Sequence, residues 1–203
     1  PWLDAGVAGF VSLLRDLIDE QDATWEGQSQ VGGKNVKQRV NKQEGRYVGI
    51  EATAGSGWRN WQLDGSVSWV RGTVDGAEGE TYPARRIPPV NGRVGLRWQH
   101  PSGAGYAEGF VRWAAAQDQL HPGDRQDLRI CADPDRPGTV RAGDACAGTP
   151  GWATLNLLVG AHLGKLASLE IAALNLTDAR YRLHGSGVLA AGLDVRARIR
   201  VRF

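Results

Sequence analysis

The chain has 203 residues, a formal net charge of +2 and 41% hydrophobic residues, values that fit neither a disordered tail nor a basic protein that coats nucleic acid. No run approaches the roughly 18 apolar residues of a membrane helix, so any membrane crossing must use strands. The 28 glycines and 8 tryptophans favour a β protein with many turns.

The first predicted element is a strand over residues 6–18, where Val7, Val11 and Leu13 stand among small residues. An amphipathic helix fits the spacing almost as well, because its apolar face would run through the hydrophobic residues at positions 10, 13, 14, 17 and 18. Both interpretations remain open from the pattern alone. Residues 19–34 are acidic and rich in glutamine and glycine, which predicts a long surface loop.

Three further strands are predicted over residues 35–53, 61–69 and 90–98. A short turn at residues 54–59 joins the first two of these strands, and a polar loop at residues 75–84 follows the second. Pro88 and Pro89 cannot donate ladder hydrogen bonds, so they are expected just before the third.

Three more strands are predicted over residues 106–117, 152–163 and 166–176. A short turn at residues 101–105 precedes the first, and Gly164-Lys165 turns the chain between the other two. Residues 118–150 have no detectable period and are predicted to form the largest loop. Residues 177–191 then lead to one last strand.

The two cysteines, Cys131 and Cys146, lie close together in that largest loop. No cluster of further cysteine or histidine ligands stands nearby, so a local disulfide is a better interpretation than a zinc site. On the chain-entropy model, a disulfide closing such a loop stabilises the fold by about 3 kcal/mol. A disulfide also indicates an oxidising compartment.

The last predicted strand, residues 192–203, alternates without exception between apolar and polar side chains. The polar face carries Asp194 and four arginines, at positions 196, 198, 200 and 202. At about 3.4 Å per residue and a tilt of about 40°, a strand of this length crosses the apolar band of an outer membrane. The edge of a soluble sandwich also alternates. The arginines are expected to pair with carboxylates such as Glu51, Asp64 and Glu170.

The connections between the predicted strands run long, short, long, short, long, short, and then medium to long. This order is typical of an outer-membrane barrel with short periplasmic turns and long external loops. Tryptophans near the strand ends fit an interfacial aromatic girdle, although core packing explains several of them equally well. The predicted fold class is all-β, an antiparallel up-and-down segment of a transmembrane β-barrel with about eight strands.

Several segments resemble the TonB-dependent outer-membrane receptors, the 22-stranded active transporters of Gram-negative bacteria. The segment Leu174-Asn175-Leu176-Thr177-Asp178-Ala179-Arg180-Tyr181 is similar to the signature of the family's penultimate strand. Residues 49–51, 86–98 and 149–156 resemble further family segments and occur in the order typical of the family.

The resemblance implies that residues 1–203 are the C-terminal part of a larger receptor barrel. The chain opens at Pro1 with neither a signal peptide nor a start residue, and the family's plug domain and TonB box are expected in a missing N-terminal part. The implied partners are outer-membrane lipid, the barrel-assembly machinery, the TonB complex through that missing part, and a small-molecule ligand. No nucleic-acid partner is expected. The ending with Ile199, Val201 and Phe203 resembles the membrane-insertion and assembly signal of outer-membrane barrels.

The implied function is TonB-dependent uptake of a large, scarce ligand, with a ferric siderophore or related metal chelate preferred and haem, cobalamin or a glycan left open. Candidate ligand-facing residues on the loops are Arg129, Arg136, Arg141, Arg182 and His184. Each of them is also explained as an ordinary solvated loop charge.

No catalytic residue, metal site or cofactor is predicted. Ser186 lacks the Gly-x-Ser-x-Gly elbow of serine hydrolases, and the four histidines show no ligand spacing. The alternative function is a small closed barrel of eight strands that acts as an anchor or adhesin. Closure would require the strand at Val7 to pair with the strand at Ile199.

Overall fold

The computed structural model describes residues 2–76, 79–133, 135–141, 145–164 and 166–202. The strands are β1 (Leu3–Asp22), β2 (Gln30–Val31), β3 (Lys34–Asn35), β4 (Lys37–Trp58), β5 (Trp61–Asp75), β6 (Thr81–Pro83), β7 (Asn91–Gln99), β8 (Gly105–Ala114), β9 (Trp152–Leu163), β10 (Ala167–Leu174) and β11 (Asp194–Val201). Two short helices, α1 (Pro122–Arg125) and α2 (Leu128–Cys131), lie between β8 and β9.

Eight strands follow one another across one antiparallel sheet, in the order β1, β4, β5, β7, β8, β9, β10 and β11, with the short β6 beside β5. This order confirms the predicted up-and-down segment of about eight strands. Within the described residues, β1 pairs with β4 alone and β11 with β10 alone, so the sheet has two open edges. The closed eight-stranded barrel is therefore wrong, because the strand at Val7 does not reach the strand at Ile199.

Alternation along the strands sorts the side chains onto two faces of unlike chemistry. The outer face exposes large apolar side chains, among them Val7, Leu157 and Ile199. The inner face buries polar ones, such as Thr154 and Asn156. This distribution is the reverse of that in a soluble sheet protein and is typical of a barrel wall that faces lipid outside and a polar interior inside.

β1 is a strand, so the helical alternative is wrong. Its pairing with β4 shifts register between Leu14 and Leu17 and again between Leu17 and Ile18. Asp16 in this bulge has a φ of 55°. The bulge explains the helix-like spacing, because one extra residue changes which positions share a face.

Two predicted connections, residues 19–34 and 54–59, are shorter in the structure, since strand pairing continues past their first residues. β1 reaches Asp22 and β4 starts at Lys37, whose Nζ lies 3.3 Å from a carboxylate oxygen of Asp22. The predicted turn at residues 54–59 is mostly strand, because Trp58 still pairs with Trp61 across a two-residue turn. The largest loop contains α1 and α2, and the polar loop after β5 contains β6.

The antiparallel order places all the short connections at one end of the sheet and all the long ones at the other. The short connections join β4 to β5, β7 to β8 and β9 to β10. The long connections join β1 to β4, β5 to β7, β8 to β9 and β10 to β11. The short-turn end corresponds to the periplasmic side of an outer-membrane barrel.

Candidate functional site: the inner wall and the long-loop cluster

An ion-pair network crosses the inner face of the sheet. Arg93 on β7 lies between two carboxylates and donates from Nη1 to Asp64 and from Nη2 to Glu108. Arg97 Nη1 lies 3.4 Å from the second carboxylate oxygen of Glu108, a residue that is 8% exposed. Two guanidinium groups therefore compensate the buried charge of Glu108, as a desolvated carboxylate requires.

Tyr106 extends this network across an intervening strand. The Arg97 guanidinium lies 3.6 Å from the centroid of the Tyr106 ring. The Tyr106 hydroxyl donates to Glu170 Oε2 on β10 at 2.7 Å, although β9 lies between the two strands. The crossing point on β9 is Gly160, where an added Cβ would collide with the Tyr106 ring. Glycine at this position allows the tyrosine to reach over β9.

The arginines of the last strand meet fewer carboxylates than expected. Arg198 Nη1 lies 4.0 Å from Glu170 Oε1, and Arg196 Nε donates to Asp194 at 2.8 Å. Asp64 pairs with Arg93 instead, because β11 neighbours β10 whereas Asp64 is on β5. The Arg198 side chain is largely exposed, so its ion pair contributes little to stability.

Two buried asparagines fix the base of the connection between β10 and β11. Asn156 on β9 accepts the backbone N–H of Asn175 at 3.0 Å and donates to the Phe110 carbonyl at 3.2 Å. Asn175 donates to the carbonyls of Ala179 at 3.0 Å and Ala191 at 3.1 Å. One side chain thus ties both ends of the connection. The backbone of Asn175 has a φ of 53°, a left-handed conformation that asparagine tolerates well.

Two other residues of the family-like signature also hold this connection. Asp178 Oδ1 accepts the Leu193 backbone N–H at 3.0 Å. The Tyr181 ring stacks on Trp152, with centroids 4.1 Å apart. These contacts explain why asparagine, aspartate and tyrosine occur in residues 174–181, the segment that is similar to the family's signature. Their partners on β9 and before β11 depend on a register that the sequence does not display.

At the long-loop end, two carboxylates join three arginines from separate connections. Asp124, 1% exposed, accepts from Arg85 Nε at 3.3 Å and from the Arg86 backbone N–H at 2.9 Å. Asp127 accepts from Arg86 Nη2 at 3.0 Å and from Nε and Nη2 of Arg129 at 2.9 and 2.7 Å. Three cations against two anions leave one net positive charge. The cluster links the β6–β7 connection to the β8–β9 connection.

His184 docks the β10–β11 connection beside this cluster. Its Nδ1 lies 2.9 Å from Thr149 Oγ1, and its buried Nε2 has no partner among the described residues. Burial lowers the pKa of His184 from its ordinary value, against the opposite influence of the Asp124 and Asp127 carboxylates. The neutral form of the imidazole therefore predominates at pH 7.

A cavity of about 530 Å³ opens on the inner face below Leu183 and His184. Its charged and polar lining includes Glu51, Ser66, Ser68, Asn91, Arg93 and Arg112. Arg93 is neutralised by its two carboxylates, whereas Arg112 forms no ion pair within the described part of the chain. Besides the compensated Arg93, the lining therefore carries one cation, Arg112, and one carboxylate, Glu51, among neutral hydrogen-bonding side chains.

The predicted ligand-facing residues have different settings, although all lie on long connections. Arg129 is held by Asp127, and His184 is half buried against Thr149. Arg136 and Arg141 are exposed, and Arg182 is half buried. Sequence patterns do not reveal Arg85, Arg86, Asp124 and Asp127, which resemble ordinary loop charges until the loops are brought together.

The remaining predicted site residues are in the largest loop and at the end of β11. Cys131 and Cys146 form a disulfide, with Cα atoms 5.3 Å apart. Ile199 and Val201 are exposed on the apolar outer face. Phe203 lies outside the described residues.

Two kinds of feature are absent from the described residues. No helix there is long and apolar enough to cross a membrane. No group of three or more histidine, cysteine, aspartate or glutamate side chains is placed to hold a metal ion.

The chain is similar in structure to several solved outer-membrane proteins. It matches the copper transporter OprC with a TM-score of 0.73 and 19% identity, over 99% of this chain and 29% of that one. It matches the FrpB iron transporter from Neisseria meningitidis (F3-3 variant) with a TM-score of 0.69 and 14% identity, over 99% of this chain and 28% of that one.

The ferripyoverdine receptor of Pseudomonas aeruginosa, bound to ferripyoverdine, matches with a TM-score of 0.61 and 12% identity. This match covers 98% of this chain and 25% of that one. The chain therefore spans less than a third of the length of each of these structures. At such low identities the likeness shows the fold alone. A search of curated protein sequences found no match.

A family model described as "TonB dependent receptor-like, beta-barrel" matches residues 1–176. This match covers most of the chain, and the open antiparallel sheet with its apolar outer face is what a segment of such a barrel requires. The chain belongs to the TonB-dependent receptor family, as part of a β-barrel in the outer membrane.

Proposed function

We propose that the receptor containing this chain imports a ferric siderophore or a related anionic metal chelate across the outer membrane, driven through TonB. The chain supplies part of the barrel wall and of the external vestibule. The observation that carries the proposal is the convergence of arginines from separate long connections at one end of the sheet. Family membership supports TonB coupling.

The electrostatics of the vestibule support an anionic ligand. The Asp124–Asp127 cluster keeps one uncompensated positive charge, and the side chains of Arg85, Arg86 and Arg129 remain about half exposed. Arg136 and Arg141 add exposed charge in the disulfide-closed loop, and Arg182 adds charge beside His184. Clustered cations raise the local concentration of an anion and favour its binding.

The remaining parts of the proposal concern the whole receptor. A plug domain and a TonB box in an N-terminal part connect it to the TonB complex, and the barrel-assembly machinery inserts it, using the end of β11. The receptor makes and breaks no covalent bonds. It works by differential affinity in two conformations, with energy supplied from outside.

The test uses the full-length receptor in a deletion strain grown under iron limitation on defined ferric chelates. Restored growth on one class of chelate supports the proposal.

Replacing Arg136, Arg141 and Arg182 together with Ala is expected to weaken binding of that chelate by about tenfold or more, because each lost charge-assisted contact costs roughly a kcal/mol. Arg59→Ala, at the short-turn end, is the matched control and should leave binding unchanged.

The proposed substrate would be contradicted if, on every ferric chelate tested, the strain grew equally well with and without the receptor. Equal binding by the triple variant and the Arg59→Ala control would contradict the proposed role of the three arginines. Fluorescence quenching of the purified receptor by the added chelate measures the affinities of the two variants.

A further inference from the structure

Three tryptophans form a row on the outer face at the short-turn end of the sheet. Trp58 on β4 pairs with Trp61 on β5, and Trp61 pairs with Trp98 on β7. All three rings thus lie at the same level on neighbouring strands. Tryptophan prefers the boundary between hydrocarbon and lipid headgroups, so the row marks the periplasmic boundary of the apolar band.

Two nitrogen-bearing side chains border this row on the periplasmic side. The Arg59 guanidinium lies 4.8 Å from the centroid of the Trp58 ring and forms no ion pair among the residues that the structure describes. The His100 ring packs edge-on against Trp98 at 5.7 Å. The Ser102 backbone N–H donates to His100 Nδ1 at 3.2 Å, which leaves Nε2 as the ring nitrogen that can donate. An unpaired cation and an N–H donor therefore lie at the headgroup level.

An apolar groove runs from this border into the hydrocarbon region. Gly109 on β8 forms its floor, and the residues paired with it on each side are Leu96 and Leu157. Nothing lies within 4 Å of the position where a Gly109 Cβ would stand, and the open groove has a volume of about 740 Å³. Trp61 and Trp98 line it towards the periplasmic end.

The length of the groove corresponds to one leaflet. Ala107 and Val111 both line it, and four residues of strand cover about 14 Å. The apolar band of an outer membrane is about 25 Å tall, so the groove extends to roughly its middle. An acyl chain that enters beside the tryptophans would fill the groove from the periplasmic leaflet alone.

We propose that this groove and its border bind one anionic phospholipid of the periplasmic leaflet. The phosphate accepts hydrogen bonds from Arg59 and from His100 Nε2, and one acyl chain lies over Gly109 between Leu96 and Leu157. Phospholipid is the occupant that the structure favours, for two reasons. A wall in the outer membrane exposes the groove to hydrocarbon. At the headgroup level, the same wall presents Arg59, a cation without a counterion among the described residues, to the lipid phosphate. The inference does not depend on the transported ligand.

The test is native mass spectrometry of the full-length receptor, released from mixed micelles that contain equal amounts of phosphatidylglycerol and phosphatidylcholine. The wild type is expected to retain one phosphatidylglycerol in preference to phosphatidylcholine. Arg59→Gln should lower this preference by about tenfold, the usual effect of losing a charged hydrogen bond. Arg71→Gln on β5, near the long-loop end, makes the same charge change away from the groove and should have no effect.

A second pair of variants tests the acyl-chain site independently of charge. Gly109→Leu fills the floor and should reduce retention of both lipids by about tenfold, whereas Gly65→Leu on β5 is outside the groove and should not. Equal retention of the two lipids by the wild type would overturn the proposal. An equal loss of the preference for phosphatidylglycerol in Arg59→Gln and Arg71→Gln would also overturn it. Heat-modifiable migration in electrophoresis shows that both variants are folded barrels.

Discussion

Glycines on the sheet control which side chains meet across it. Tyr106 reaches Glu170 because Gly160 leaves the intervening position on β9 open. Gly109, on the opposite face of β8, has only open space beside it. Two glycines that look alike in the sequence therefore have different roles, one in a hydrogen-bonded network and one in a groove.

We expect Gly160→Ala to destabilise the receptor by about 1–3 kcal/mol, because the new methyl group displaces the Tyr106 ring and breaks its bond to Glu170. Gly109→Ala is the matched control and should be neutral or slightly stabilising, since its methyl group meets no atom. Urea unfolding of the full-length receptor in detergent measures both free energies. Equal values for the two variants would contradict the role given to Gly160.

The His184 environment predicts a pH dependence for the β10–β11 connection. Its pKa in the folded loop lies below the ordinary 6.5, so the open loop binds a proton more readily than the docked loop. The contribution of His184 to the free energy of docking is fully present above pH 6.5. It decreases as the pH falls from 6.5 towards the lowered pKa of His184. Hydrogen exchange of residues 181–187, corrected for intrinsic rates, should be faster at pH 5.5 than at pH 7.5. His184→Gln should abolish this difference.

At the scale of elements, periodicity predicted the strands but not their ends. β9 was predicted over its observed length because apolar and polar residues alternate up to Leu163. β4 extends five residues beyond its predicted end, since Gly55 and Gly57 look like turn residues but pair with β5. The bulge in β1 gave a helix-like spacing. Glycine content and bulges thus mislead pattern analysis where pairing with a neighbouring strand decides the structure.

The α1–α2 segment predicts a local effect of the disulfide. Cys131 and Cys146 pack with Leu120 and Ile130, and a bond across a separation of 15 residues contributes about 3 kcal/mol. The double variant Cys131→Ser, Cys146→Ser should speed hydrogen exchange in residues 120–133 by about a hundredfold. Exchange in β8 and β9 should not change, because these strands pair with each other along their length. Equal acceleration in the strands would show that the loop and wall unfold together.

At the scale of the whole molecule, the loop lengths were sufficient to predict an up-and-down wall, and alternation was sufficient to predict its two faces. The inner network was not predictable from them. Arg93, Glu108, Tyr106 and Glu170 come from three strands, and their contacts depend on register and on the glycine at position 160. The arginine–aspartate cluster likewise depends on how separate loops fold together.

The two faces predict unequal costs for the same substitution at neighbouring positions. Leu157→Arg puts a charge on the lipid face and should cost about 2–4 kcal/mol. Leu158→Arg turns the charge to the inner face, where the paired residue on β8 is Glu108, and should cost less than about 1 kcal/mol. Urea unfolding and the yield of heat-modifiable barrel measure the difference. Similar losses for both variants would contradict the assignment of the faces.

The double tie made by Asn175 separates the base of the β10–β11 connection from its tip. Ala179 and Ala191 are anchored to one buried amide, whereas Val188 and Leu189 are exposed between them. A closed base with a solvent-facing tip accommodates inserted residues without disturbing the elements that it joins. A foreign peptide spliced between Val188 and Leu189 would consequently be displayed on the cell exterior, which makes this stretch a natural position for epitope tags or for antibodies that label living bacteria.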